Sequence, residues 1–484
     1  MALPRSEAAL KQHGAAAHVV LGEECLRLNP ADGTIASRVP ALGAAEARKA
    51  ASRAALAFAS WSRQPGAARA AILRRAAALM RQDEARLGAL MRDEIGATRA
   101  WQDFNLAQAI WQLEAAADLA ESLSADPVAD AAGHNLVFRE PAGVCLGIAP
   151  WNAPLALGVR SVATALACGN AVILKASEIC AGSHLAIGQI LSEAGLPPGV
   201  LNIVTHAPEH AEEVVRALIS HEVVRRVNFT GSSRVGRRVA EMAASGLKRC
   251  LLALSGKAAL IVLEDADLEA AAEAAAYGAF LNQGQVCMST DRIIVAESIA
   301  DRFIALLVER AAILRAGPPE EGAPLGPLVS EAAALRLEAL ISEAEARGAR
   351  RICGGARRGT FMDATVIDHV EPGMRLYSEE LFGPVVAICR AASEEEAISI
   401  ANDSAYGLTS AIWSRDSARA LSLCQQIDAG SCHINAPTVI DRPDMPVGGM
   451  KDSGYGRFGG KAALDEFTEL RWVSTGAASA PSAL

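Results

Sequence analysis

Cys287 lies in Asn282-Gln-Gly-Gln-Val-Cys-Met-Ser-Thr290, after a helical run and among glycine and small polar residues. A loop or helix start at this point would let backbone N–H dipoles stabilise a thiolate, the nucleophilic form of cysteine. The competing reading is a buried thiol acting as a small hydrophobe. Asn152, in Pro150-Trp-Asn-Ala-Pro154, follows the strand-like run Val144–Ala149. Its amide could donate to a developing oxyanion, or it could be a turn residue between two prolines. Lys175 and Glu178 end another strand-like run. Three residues apart, they could face a ribose, Lys donating and Glu accepting, or form a solvated charge pair. Phe229-Thr-Gly-Ser-Ser-Arg-Val-Gly236 follows a strand and opens a helix. Gly231 would permit close backbone approach, and a helix N-terminus favours phosphate. Gly231 and Gly236 are too far apart for a GxGxxG fingerprint, so this turn alone is weak evidence.

Positioning such residues takes elements with chemistry at their ends. Short β-rich runs at Val144–Ala149, Ala171–Lys175, Leu201–Val204, Arg226–Phe229, Leu251–Leu254 and Leu260–Leu263 alternate with amphipathic stretches at His184–Ala194, Glu209–Ile219 and Arg234–Ala244. This alternation predicts a parallel sheet covered by helices, with ligands at the carboxyl ends of its strands. A second alternation starts near Asp267. It has helices at Leu268–Asn282, Ile299–Leu314 and Glu331–Arg347, and strands at Ile293–Val295, Val385–Cys389, Thr409–Trp413 and Cys432–Ile434. Two or three helices are expected between Ala44 and Arg92. The polar stretch 122–140 suggests a hairpin arm, and Gly448 to Gly460 a folded-back glycine-rich loop.

Composition narrows the class. The chain has 484 residues, 51% hydrophobic and 21% charged, which excludes a mainly disordered protein. Its net charge of −9 argues against nucleic acid or an anionic membrane as main partner. With 4% aromatics, the core must rest on aliphatic residues and alanine. Met1 to Val20 has no continuous apolar run, so no targeting segment is expected there. The most apolar stretch, Gly143 to Val159, is broken by prolines and is a poor membrane span. Ten scattered cysteines suggest a reducing cytoplasm, and the nine histidines form no ligand cluster, so no metal site is expected.

Taken together, PWNAPL, KASE, FTGSSRVG, GQVCMST, EELFGPV and MPVGGMKDSGYGRFGG resemble the NAD(P)-dependent aldehyde dehydrogenase superfamily, from about residue 30 to 475. Within it, WNAPLALGVR, ACGNAVILKASEICAGSH and SGYGRFGGKAALDEFTELRW look most like salicylaldehyde, vanillin and related aromatic aldehyde dehydrogenases. The resemblance implies an α/β fold: a Rossmann-like cofactor domain (1–121 and 142–252), an α/β catalytic domain (253–462), and an oligomerisation arm and tail (122–141 and 463–484). It implies Cys287 as nucleophile, with Asn152 and the Cys287 backbone N–H as oxyanion donors. Trp151, Lys175 and Glu178 would contact the adenosine half of NAD. Phe229, Gly231, Ser232 and Gly236 would belong to the cofactor turn, and Glu380 and Phe382 would hold the nicotinamide ribose and ring. NAD is the expected cofactor, with NADP also allowed; the expected assembly is a homodimer or homotetramer. Arg160, eight residues after Asn152, is a candidate contact for a substituent on an aromatic substrate or else a structural arginine.

One position departs from the pattern. Where the family usually has Glu-Leu-Gly-Gly-Lys, this chain reads Ala253-Leu-Ser-Gly-Lys257. Ala253, 34 residues before Cys287, stands at the position of the general base that hydrolyses the thioester. Ser255 replaces a common glycine. Three readings stay open: an introduced Glu→Ala change that impairs hydrolysis, an enzyme that passes its acyl group to coenzyme A, and a non-catalytic NAD-binding paralogue.

Overall fold

The computed structural model describes residues 18–21, 23–123, 128–129 and 135–475. The expectation about Met1–Val20 therefore lies mostly outside the described residues, as do parts of the arm segment and the tail beyond 475.

Two large sheets organise the chain. The first contains β1 (Val144–Ile148), β2 (Ala171–Lys175), β3 (Leu201–Val204), β4 (Val224–Thr230) and β5 (Arg249–Ala253). Their spatial order is β5-β4-β1-β2-β3, all parallel, and the short strand Gly454–Tyr455 pairs antiparallel with β5. The chain leaves β1 toward β2 and β3, then crosses back to β4. That reversal opens a crevice at the carboxyl ends of β1 and β4, where open α/β sheets bind ligands.

The second sheet contains β6 (Ala258–Val262), β7 (Thr290–Ala296), β8 (Arg350–Cys353), β9 (Thr365–Asp368), β10 (Val385–Ala391), β11 (Thr409–Trp413) and β12 (Ser431–Ile434), in the order β8-β9-β10-β7-β6-β11-β12. Only β8 runs antiparallel to its neighbour. The run Leu260–Leu263, which alternates in sequence with the first sheet's strands, belongs here as β6. The change of sheet takes only residues 254–257.

Packing is aliphatic and alanine-rich, as so few aromatics require. Strands β1, β2 and β6 are buried at every position. Helix α1 (Arg99–Ser122) lies against the helix Gly66–Gln82 and against α2 (Pro154–Arg160), and its Ala109, Leu113, Ala116 and Ala117 are buried. Pro154 opens α2 at a position where a missing N–H costs nothing. Helices α3 (Ser233–Ala244), α4 (Leu268–Phe280) and α5 (Glu331–Ala346) follow the sequence reading closely. Three helices occupy the stretch from Ala44, at Ala44–Trp61, Gly66–Gln82 and Glu84–Ile95, with α1 beyond them.

The strand Asn135–Pro141 pairs antiparallel along its whole length with Thr468–Ser474, and Val128–Ala129 adds a third strand. Leu470 and Trp472 on this sheet are 60% and 69% exposed. The glycine-rich return loop before it is fastened to the β5–β6 connection. Leu254 N–H donates to the Ser453 carbonyl at 3.0 Å, and the Ser453 hydroxyl donates to the Ser255 carbonyl at 2.6 Å. Among the described residues, no helix is long and apolar enough to cross a membrane.

Candidate active site

Helix α4 stops at Phe280 because the next turn is not α-helical. Asn282 and Gln283 adopt φ of 51° and 55°, left-handed conformations that non-glycine residues rarely hold. Gly284, at φ +68°, passes so close to the Gly383 carbonyl that a Cβ would lie 2.0 Å from its oxygen. Gly256 approaches the Cys287 carbonyl in the same way, a Cβ there falling 2.3 Å from it. These contacts seat Cys287 between the β5–β6 connection and the loop before β10. Burial pushes its thiol up to about 11, an effect that Arg160 opposes and that Glu380 and Asp441 add to. The loop therefore holds a neutral thiol at pH 7, not the thiolate that backbone dipoles alone suggested.

Asn152 stands just past β1 and is buried. Its Nδ2 donates to the Gln285 carbonyl at 2.9 Å, which leaves one N–H for a further acceptor. Its own carbonyl accepts from Trp101 Nε1 at 2.8 Å and from Asn282 Nδ2 at 3.2 Å. Trp101, Asn282 and Gln285 thus fix the orientation of Asn152, and nothing in their spacing marked them in advance.

A cavity of about 690 Å³ at the crevice is lined by Trp151, Asn152, Gly231, Ser232, Ala253, Ser255, Cys287, Glu380 and Phe382 among others. Residues from five separate stretches meet there. The Phe382 and Trp151 rings meet edge to face at 5.7 Å. Ser232 caps α3, its hydroxyl accepting from Val235 N–H at 3.4 Å.

Other candidates lie off this lining. Phe229 and Gly236 support it by packing: a Cβ on Gly231 would be 2.5 Å from the Phe229 ring, and one on Gly236 2.5 Å from Leu254 Cδ2. Lys175 and Glu178 stand at the end of the neighbouring strand, Nζ and Oε2 3.7 Å apart. Burial works to raise the Glu178 carboxyl, but Lys175 and its own backbone N–H hold it below the ordinary range. His206, just past β3, puts Nε2 3.9 Å from the same carboxylate oxygen. The strand-end rule that picked Lys175 would have found it too.

Arg160, at the end of α2, lines a second cavity of about 580 Å³ with Trp111, Gln112, Asp441, Val447 and Phe458. Its guanidinium pairs with Asp441 at 3.2 Å and lies 4.7 Å from the Phe458 ring centroid. It lies outside the cavity that holds Cys287 but close enough to act on the thiol electrostatically.

Glu380 is tied in from several sides. Gly256 N–H donates to its Oε1 at 3.0 Å, and the Ser255 hydroxyl also hydrogen-bonds to it. Arg336 on α5 holds the Glu380 carbonyl at 2.6 Å, and Asp291 accepts from Leu381 N–H at 3.0 Å. Burial, with Asp291 nearby, raises the Glu380 carboxyl to about 7 against the pull of Ser255, Gly256 and Lys257. No group of three His, Cys, Asp or Glu that could hold a metal occurs among the described residues.

The crevice at the strand reversal thus holds a loop-borne cysteine beside a buried amide donor. The profile of the Aldehyde dehydrogenase family matches residues 21–473, and the chain belongs to that family. It is an NAD(P)-dependent aldehyde oxidoreductase. A vanillin dehydrogenase from Pseudomonas fluorescens is 47% identical over 454 residues, 93% of each chain. A salicylaldehyde dehydrogenase from Pseudomonas putida is 42% identical, covering 93% of this chain and 94% of that one. Among solved structures, salicylaldehyde dehydrogenase from Pseudomonas putida G7, complexed with salicylaldehyde, matches with a TM-score of 0.92 at 41% identity, covering 95% and 96% of the two chains.

The residues present fit a dinucleotide. Gly231 keeps the crevice floor open where a Cβ would meet Phe229. The N-terminus of α3 faces the cavity through Ser232 and Ser233. Lys175 and Glu178 form a donor–acceptor pair at the next strand end.

Proposed function

We propose that the chain oxidises aromatic aldehydes of the benzaldehyde, salicylaldehyde or vanillin type to carboxylic acids with NAD, with hydrolysis impaired by Ala253. The observation that carries this is the position of Cys287, in the cavity of Asn152, Glu380 and Phe382 and within electrostatic reach of Arg160 in the second cavity. The named relatives act on ring-bearing aldehydes.

In this reading the two sheets divide the work between a cofactor-binding and a catalytic domain. Cys287 Sγ attacks the aldehyde carbon to give a thiohemiacetal alkoxide, held by the free N–H of Asn152 and the Cys287 backbone N–H. NAD, when bound, supplies the hydride acceptor. Glu380 and Phe382 line the cavity where its nicotinamide half would lie, Gly231 and Ser232 its pyrophosphate, and Trp151, Lys175 and Glu178 would serve the adenosine half. Cys287 is left as a thioester, which water must cleave. The Arg160 guanidinium, backed by the Phe458 ring, offers a positive charge to a hydroxylated ring. Benzaldehyde should outpace hexanal in NADH formation by about tenfold or more, a gap of about 1.4 kcal/mol. Hexanal winning by that margin in stopped-flow absorbance would reject the aromatic assignment.

NAD is expected to bind tighter than NADP by about tenfold. The ionised Glu178 carboxylate would accept from ribose hydroxyls and repel a 2′-phosphate. Equal dissociation constants by fluorescence titration would contradict this.

We also propose that the arm sheet joins subunits into a homodimer or homotetramer, since its Leu470 and Trp472 are exposed and, among the described residues, no further strand pairs with Thr468–Ser474 on its outer side. Light scattering at micromolar concentration should show that mass; a monomer would refute it. A cytoplasmic location suits ten cysteines that are all free.

Ala253 favours one second reading, transfer of the acyl group to coenzyme A. Turnover that appears only when coenzyme A is added would select it.

A further inference from the structure

Ala253 and Ser255, the two departures from the family pattern, lie in one connection and line one cavity. Ala253 presents only a methyl group to it. Ser255 adds a hydroxyl that the common glycine lacks, and that hydroxyl hydrogen-bonds to Glu380. Among the described residues lining this cavity, Glu379 and Glu380 are the only carboxylates, and no histidine joins them. Glu379 is committed to Arg375 and Arg336, which hold its carboxyl below the ordinary range. Glu380 has no arginine on its carboxylate; it shares the cavity with Cys287 and is within electrostatic reach of the thiol.

We propose that Glu380, held by the Ser255 hydroxyl and the Gly256 N–H, is the general base that hydrolyses the Cys287 thioester in this chain. The inference rests on the reading of Cys287 as the acylated nucleophile. One carboxylate oxygen of Glu380 takes a proton from water as the water oxygen bonds to the thioester carbon. The carbonyl electron pair moves to oxygen, where Asn152 donates to it. The tetrahedral adduct then collapses, the C–S bond breaks, and its electron pair stays on Cys287 sulfur. The released acid protonates that thiolate and departs as carboxylate, while Glu380 returns its proton to solvent. The net change is thioester plus water to thiol, carboxylate and one proton.

The charged and titratable groups facing Glu380 are Asp291, which raises its carboxyl, Lys257, which lowers it, and Cys287 and Tyr406 across the cavity. With the carboxyl near 7, the base form grows through neutrality and predominates above it. Hydrolysis should therefore rise with pH and level off above about 8. Such a base is strong enough to act and is about half ionised at neutral pH.

The test needs no cofactor. 4-Nitrophenyl benzoate acylates a reactive cysteine directly, so a nitrophenolate burst counts acylation and the following linear phase reports hydrolysis. Glu380→Gln should keep the burst amplitude of one acyl group per site, whatever the burst rate, while the linear phase loses its plateau above pH 8 and slows roughly tenfold or more. Ser255→Gly should shift the midpoint of the pH profile upward, because it removes a hydrogen bond to the carboxylate. That shift reads the arrangement even where Glu380→Gln folds poorly. A Glu380→Gln linear phase within about twofold of the unaltered chain, or an unmoved midpoint in Ser255→Gly, would overturn the assignment. Absence of a burst from the unaltered chain would instead remove the Cys287 reading, and this inference with it.

Discussion

Mixed with NAD and benzaldehyde, the chain is expected to release about one NADH per active site quickly and then turn over slowly, because Ala253 removes a base worth roughly 10²–10⁴-fold at the end of β5 and hydrolysis falls to Glu380. The acyl group should stay on Cys287, visible as a mass increase of the intact protein. The burst itself should be pH-dependent. With the thiol pushed up to about 11, the thiolate is scarce at pH 7. Its fraction grows about tenfold per pH unit below that value, so the burst should quicken from pH 7 to 9. Ala253→Glu should restore multiple turnover by placing a carboxylate at the end of β5, in the cavity that holds Cys287. Linear NADH production from the first turnover, without a burst, would show that hydrolysis does not limit this chain.

Asn152→Ala should slow the same burst by about 10²–10³-fold, the usual cost of removing one oxyanion donor. The effect belongs to the transition state, because the alkoxide forms only as sulfur attacks. Collapse of the loop would not explain it, since the Gln285 carbonyl keeps Asn282 Nδ2 at 3.4 Å as a donor. The cofactor should still bind, and ester acylation without NAD should slow in parallel, because both reactions build negative charge on the same oxygen. An unchanged burst rate in Asn152→Ala would place the oxyanion elsewhere.

Strand runs were most legible where a short apolar run is closed by turn residues, whether buried on both faces or on one. Ala171–Lys175, Leu201–Val204 and Thr409–Trp413 match the structure to the residue, being short apolar runs closed by turn residues. The bend after α4 was not legible. The sequence reading carried the helix to Asn282, but Asn282 and Gln283 turn left-handed, a conformation that asparagine tolerates and glutamine rarely adopts, and that the contacts of Gly284 and Asn152 hold. Helix α1 was hidden because polar Asn105 and Gln112 lie on its buried face, which blurs the periodicity. The move from β5 to β6 was also invisible, since both are buried aliphatic strands separated by a four-residue step.

Within the site, residues at strand ends and in named loops could be picked by type. Their supports could not. Trp101, Asn282 and Gln285 reach Asn152 from distant positions, and only the fold brings them together. Ser255 read as a mild departure; its partner Glu380 lies 125 residues further on in the chain.

The glycine-rich return loop has a mechanical consequence. Ser453 clamps the connection that carries Ala253 and Ser255, Gly454 pairs with Ala253 itself, and the same segment runs on through a short helix into the arm strand Thr468–Ser474. This return segment is therefore a strut between the outer sheet and the floor beneath the nucleophile. A load on the arm is borne by the floor. Loosening the strut, by a cleavage in the return loop or by peeling the arm strand from Asn135–Pro141, would slacken the ground beneath Cys287 even with every catalytic side chain intact.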